Sequence, residues 1–316
     1  LESRISIDSN KIIQGKTMTE INKKRLYIFL GIAFAISWVS ALVIVLTGGL
    51  ENSPVLVQGS NITLAVVLLS SIYMWGPALA NILTRMITKE GWENLLVKPM
   101  LKESWLYWLL GWFGPGILSI IGMLVFFLLF PAYYDADMTI LQAQLAAAGT
   151  DIEAVNLQSM IITQVLTALV ISPLLNFTAT FGEELGWRGY LLPKLESIGK
   201  RKALLFSSII WGVWHWPVIW MGYNYGTEYW GYPWMGLLSM VWFTLSVGIF
   251  FGWLSQKGKS VWPAVVAHGA LNGIASLGLL FIKESYPTLL GPTPVGIIGG
   301  LAFTLVSLVI LLKTKD

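Results

Sequence analysis

"NKKRLYIFLGIAFAISWVSALVIVLT", residues 22–47, places three cations in front of an uncharged run that extends from Leu26 to Thr47. An α-helix rises about 1.5 Å per residue, so a run of this length spans the roughly 30 Å of a bilayer's hydrocarbon. The cations at its head stay with the water and headgroups on one side. The rest of the chain has the same character. Of 316 residues 55% are hydrophobic and 12% charged, against about 25% charged in a typical soluble domain. The composition is that of a membrane protein.

Similar runs lie near 62–84, 105–130, 160–181, 203–221, 234–254, 261–281 and 295–312, which with the first makes eight expected spans. Their connections sort by charge. One set carries Glu51, then Asp135, Asp137, Asp151 and Glu153, then Glu228, then Lys283 and Glu284. The other collects Lys23, Lys24 and Arg25, then Arg85, Lys89, Lys98 and Lys102, then Lys194, Lys200, Arg201 and Lys202, then Lys257 and Lys259, and finally Lys313 and Lys315. Cytoplasmic loops of membrane proteins are enriched in Lys and Arg, so this distribution predicts a multi-pass protein with both termini cytoplasmic. The expected fold is all-α: eight transmembrane helices enclosing an intramembrane polar cavity. Residues 1–22 read as a polar cytoplasmic tail, with Met18 a candidate native start, and 23–316 as one membrane domain. The segment "LQAQLAAAGTDIEAVNLQ" (141–158) is expected to hold a short interfacial helix. The chain has no cysteine, which excludes disulfides, thiolate metal sites and thiol nucleophiles. Nothing in it implies a nucleic-acid partner.

"FGEELGWRGYLL", residues 181–192, interrupts this apolar pattern with Glu183, Glu184 and Arg188. Ionised side chains at membrane depth are costly and face a polar interior when they occur. On a continuous helix Glu184 and Arg188 stand at i and i+4 and can pair, while Glu183 is turned about 100° away and left free. The only two histidines, His215 in "IIWGVWHWPVIW" and His268 in "PAVVAHGALNG", also fall inside apolar runs. Counted from the basic ends of their spans at about 1.5 Å per residue, they lie roughly 18 Å and 12 Å deep. Asn272 adds a polar group one turn after His268 on the same face. A carboxylate, two imidazoles and an amide suit amide hydrolysis without a covalent intermediate. The carboxylate acts as general base on water, one histidine holds that water, and His268 with Asn272 donates to the oxyanion. The same atoms allow a second chemistry, in which Glu183, His215 and His268 hold a Zn²⁺ with one position left for water. No cofactor is needed on the first reading. A transporter or a catalytically silent scaffold would also keep polar groups at depth, although no internal repeat is visible.

These residues resemble a known family. "EELGWR" (183–188) matches the E-E-x-x-x-R motif of the CPBP intramembrane proteases, also called the Abi family, which includes the type II CAAX prenyl endopeptidases. "WGVWH" (211–215) stands where that family has F-x-x-x-H, with Trp211 in place of its phenylalanine, and "HGALN" (268–272) fits H-x-x-x-N/D. The resemblance implies Glu183 as the base that activates water, assisted by His215, with His268 and Asn272 at the oxyanion and Glu184 and Arg188 as a supporting pair. It implies the lipid bilayer as surroundings and a prenylated or other membrane-associated protein or peptide as substrate. It leaves open whether catalysis is glutamate- or zinc-dependent. The larger ring of Trp211 is expected to narrow the pocket.

Overall fold

The computed structural model describes residues 9–283 and 285–315. Residues 1–8 of the expected tail and Glu284 of an acidic loop lie outside the described residues, while residues 9–22 continue helix α1 upstream. The helices that matter here are α1 (Ser9–Leu46), α2 (Leu64–Thr88, with a π turn at Leu69–Tyr73), α3 (Leu101–Leu129), α4 (Thr139–Ala147), α5 (Leu157–Val170), α6 (Ser172–Leu175), α7 (Phe177–Gly186), α8 (Lys200–Trp214), α9 (Trp216–Trp220), α10 (Trp234–Gly258), α11 (Trp262–Ile274) and α12 (Leu301–Lys313). α4 occupies the long acidic connection and begins two residues before the expected interfacial helix. The described residues form no extended strand.

Five segments are long and apolar enough to cross a membrane: Lys23–Leu46, Leu64–Thr88, Leu101–Leu129, Trp234–Gly258 and Trp262–Phe281. The remaining three expected spans are broken or short, for local reasons. Pro173 has no N–H to give to the helix, and the run at 160–181 divides into α5, α6 and α7 around it. Pro217 does the same between α8 and α9. In the last run the stretch before Leu301 finds partners outside its own segment: the N–H groups of Ile297 and Ile298 donate to the carbonyls of Leu289 and Leu290 at 2.9 and 2.8 Å. Backbone groups satisfied this way have no need of helical ones.

The helices pack as a bundle in which α2 lies against α1 and α7, α11 against α3 and α6, and α10 against α8 and α12. Between apolar helices in lipid, close approach of small residues supplies much of the association. α7 meets α2 in this way, since a Cβ on Gly186 would stand 2.5 Å from the carbonyl carbon of Pro77. The interior between them is aromatic, with Tyr73, Trp187, Tyr190, Trp211, Trp214 and Phe251 all buried.

At the end of the bundle that carries the basic loops, Glu90 gathers four partners, three of them from distant parts of the chain. Tyr190 donates its hydroxyl at 2.8 Å, Lys194 its ammonium, and Arg25 and Arg85 stand at 3.4 and 3.9 Å. Burial pushes the Glu90 carboxyl up, but the hydrogen bonds from Lys194 and Tyr190 and the charges of Lys194 and Arg25 outweigh it and hold the group below its ordinary value of 4.5. A carboxyl lowered on folding contributes stability that is fully present above its ordinary value and is lost as pH falls through the lowered one. The melting temperature of Glu90→Gln should therefore lie below that of the wild-type chain at neutral pH, with the gap narrowing as pH drops below 4.5. A gap that does not change with pH would contradict this account of the cluster.

Candidate functional site

Glu183 and Glu184 close α7, and the chain turns through a π turn at Trp187–Leu191 that brings Arg188 back beneath them. Arg188 Nη1 donates to Glu184 Oε1 at 2.9 Å, with both side chains buried. The i, i+4 pair expected from the spacing is present, and it has a further member. His268 Nδ1, on α11, lies 2.9 Å from the same Oε1. A carboxylate oxygen only accepts, so Nδ1 carries the hydrogen and the neutral ring keeps Nε2 as a free acceptor. Glu184 thus sets the tautomer of His268 as well as pairing with Arg188. Donation from His268 Nε2 to an oxyanion then requires the imidazolium, with Glu184 as its counter-ion.

His215 is placed by the break at Pro217. Its backbone N–H turns to Gly212 O at 3.1 Å, so the carbonyl of Trp211 is taken instead by His215 Nδ1 at 2.8 Å. By the same reasoning as for His268, this ring also keeps Nε2 as its free nitrogen. Glu183 is not the unengaged acid that helical rotation suggests. Its Oε2 accepts from the indole Nε1 of Trp211 at 2.8 Å, a bond that the phenylalanine of the family motif cannot make. The ring of Trp211 also lies under the Arg188 guanidinium, 4.4 Å from ring centroid to Cζ. Trp211 therefore holds Glu183 through its side chain and His215 through its backbone, a larger role than narrowing the pocket.

Glu183, Trp211, His215, His268 and Asn272 line one cavity of about 410 Å³. Glu184 and Arg188 stand behind it and do not line it. Asn176, Tyr223 and Asn224 also line it and were not singled out in the sequence. Asn176 was legible in principle, because it precedes Glu183 by seven residues and so shares its helical face. Tyr223 and Asn224 come from the loop after α9, which carries no such signal. Among the described residues no three His, Cys, Asp or Glu side chains gather closely enough to hold a metal ion. Glu183, His215 and His268 share the cavity without forming such a group.

Residues 161–274 match the sequence model of a family described as type II CAAX prenyl endopeptidase Rce1-like. CAAX prenyl protease 2 of Methanococcus maripaludis is 38% identical over 105 residues, which is 31% of this chain and 37% of that protein. The chain thus matches a little over a third of the length of this curated relative. The family match contains all three motifs, and the resemblance they carry to the Rce1-like CPBP proteases is borne out. Together with five helices able to span a bilayer, the match makes this an integral membrane protein.

The shared oxygen of Glu184 has a direct consequence for stability. Removing one member of a buried ion pair leaves the other uncompensated, at a cost of about 3–5 kcal/mol. Glu184→Ala and Arg188→Ala should each lower the melting temperature in detergent substantially. Unchanged thermal unfolding in both variants would show that the pair does not hold the fold.

Proposed function

We propose that this chain is an intramembrane endopeptidase that hydrolyses a peptide bond with water activated by Glu183, acting on a membrane-associated peptide such as a prenylated C-terminus. The observation that carries this reading is the meeting of Glu183, His215, His268 and Asn272, from three separate motifs, on one cavity. On this reading all eight apolar runs lie in the bilayer, the broken ones included, with the basic loops and both termini in the cytoplasm.

The chemistry follows from the free atoms. Water bound between Glu183 and His215 Nε2 loses a proton to the Glu183 carboxylate as its oxygen attacks the peptide carbonyl carbon. The carbonyl oxygen becomes an oxyanion that accepts hydrogen bonds from the Asn272 amide and from His268 in its imidazolium form. The C–N bond then breaks as the proton held by Glu183 passes to the leaving nitrogen. One water is consumed, and a carboxylic acid and an amine are formed. Trp211 keeps Glu183 aimed throughout, and Glu184 keeps Nε2 of His268 toward the substrate.

Incubating the detergent-purified chain with a farnesylated CAAX peptide should release the terminal tripeptide. General-base catalysis contributes about 10²–10⁴ in rate, and Glu183→Gln should lose activity on that scale while keeping the wild-type melting temperature. Retained hydrolysis in Glu183→Gln would remove Glu183 from the base role.

A further inference from the structure

A second cavity, of about 500 Å³, lies at the end of the bundle that carries the basic loops and shares no lining residue with the first. Its wall comes from four segments. Arg85 stands in the last turn of α2, Asn94 and Leu96 belong to the connection between α2 and α3, Arg188 and Lys194 come from the π turn after α7 and the residues beyond it, and Ser255, Gln256 and Lys259 stand at the end of α10. Asn94 and Lys259 are exposed at the rim, whereas Arg85, Arg188 and Ser255 are buried. A space of this size falls in the range of small-molecule sites.

Charge is not balanced there. Four cations, Arg85, Arg188, Lys194 and Lys259, line the cavity against one carboxylate, Glu196, which accepts from Gln256 at 2.8 Å. Behind the wall Glu90 serves Arg85, Lys194 and Arg25, and Glu184 serves Arg188. With His268 neutral, five cations meet three carboxylates, and two positive charges are left over. The donors are not all spent either. Arg85 uses Nε, Nη1 and Nη2 on Asn81, Gly91 and Asn94 and so contributes only its charge. Arg188 differs. It is 2% exposed, sits over the rings of Trp211 and Phe251, and gives Nη1 to Glu184. Among the described residues its Nε and Nη2 have no hydrogen-bond acceptor, and neither has the Ser255 hydroxyl. Buried donors left without acceptors are costly, and a group with several anionic oxygens would satisfy them.

Which anion follows from the place and the walls. The basic end reads as the cytoplasmic surface, and basic pockets between membrane helices on that side take the phosphate headgroups of anionic lipids. Trp92, exposed in the connection that supplies Asn94, carries the amphipathic ring that settles at headgroup depth. Leu96, Leu192 and Pro193 give the cavity an apolar side for a glycerol backbone. We infer that this cavity binds the phosphate of an anionic phospholipid, with Arg188 and Ser255 donating to its oxygens and Lys194 and Lys259 matching its charge. Arg188 also holds Glu184, whose Oε1 is shared with His268, so the occupant touches the same guanidinium that anchors the catalytic cavity's supporting acid. The inference does not depend on the chain being a peptidase.

Thermal unfolding of the delipidated chain in detergent tests it without catalysis. Adding phosphatidylglycerol to phosphatidylcholine mixed micelles should raise the melting temperature saturably, as a ligand of the folded state does. Phosphatidylcholine alone, whose headgroup has no net charge, should not. Inorganic phosphate at matched ionic strength separates the sources: a rise with phosphate to which the lipid adds nothing would overturn the lipid assignment. Because Arg188 and Lys194 belong to pairs that hold the fold, the site is probed with Ser255→Ala and with Lys259→Asn, asparagine tolerating the φ of 48° at that position. Both should raise the phosphatidylglycerol concentration that gives half the shift. For Lys259→Asn the rise should be about fivefold, the equivalent of about 1 kcal/mol per basic side chain near an anionic lipid. Lys102→Gln, outside the cavity, should leave the response unchanged. No shift with phosphatidylglycerol, or a wild-type response in both cavity variants, would overturn the inference. Equal weakening in Lys102→Gln and Lys259→Asn would also overturn it, because the lipid would then be drawn to the basic surface in general.

Discussion

One carboxylate oxygen, Oε1 of Glu184, accepts from Arg188 on the following π turn and from His268 on α11. Much of the site depends on that shared acceptor. It balances a buried guanidinium, fixes which nitrogen of His268 carries the hydrogen, and links α7 to α11 at the depth where Glu183 stands. Charge-assisted hydrogen bonds of this kind are shorter and stronger than neutral ones, and the low dielectric between apolar helices strengthens them further. The two adjacent acids thus divide their work by direction: Glu184 faces the packed interior, and Glu183 faces the cavity and Trp211.

The second organising element is proline. Pro173 and Pro217 break two apolar runs that composition alone would carry across the bilayer unbroken. The break at Pro217 turns the His215 N–H back to Gly212 and leaves the Trp211 carbonyl for the His215 ring. A membrane helix tolerates such a break only where neighbouring groups re-satisfy the freed backbone, and here the group that does so is a side chain that lines the cavity. Tyr73 caps the same turn, its hydroxyl donating to Trp214 O at 2.5 Å.

What the sequence made legible is what depends on local spacing or on bulk composition. The apolar runs, the segregation of basic and acidic loops and the Glu184–Arg188 pair all follow from residues near one another in the chain. The contacts that define the site do not. Glu184 and His268 are 84 positions apart and Glu183 and Trp211 are 28 apart, and no periodicity specifies which ring nitrogen or indole meets which oxygen. Trp211 looked like a size change when read against the family motif, because its N–H matters only once Glu183 is beside it. Glu90 carried little signal, since all its partners but Arg85 are remote in sequence, from Arg25 to Lys194.

The shared oxygen is tested most directly by a double-mutant cycle between Glu184→Gln and His268→Ala, read as thermal unfolding in detergent. Groups in one hydrogen-bond network couple by about 0.5–3 kcal/mol. The account predicts coupling within that range, with His268→Ala costing clearly less when Glu184 is already glutamine. Strictly additive effects would contradict it, because they would mean that His268 and Glu184 hold the fold independently.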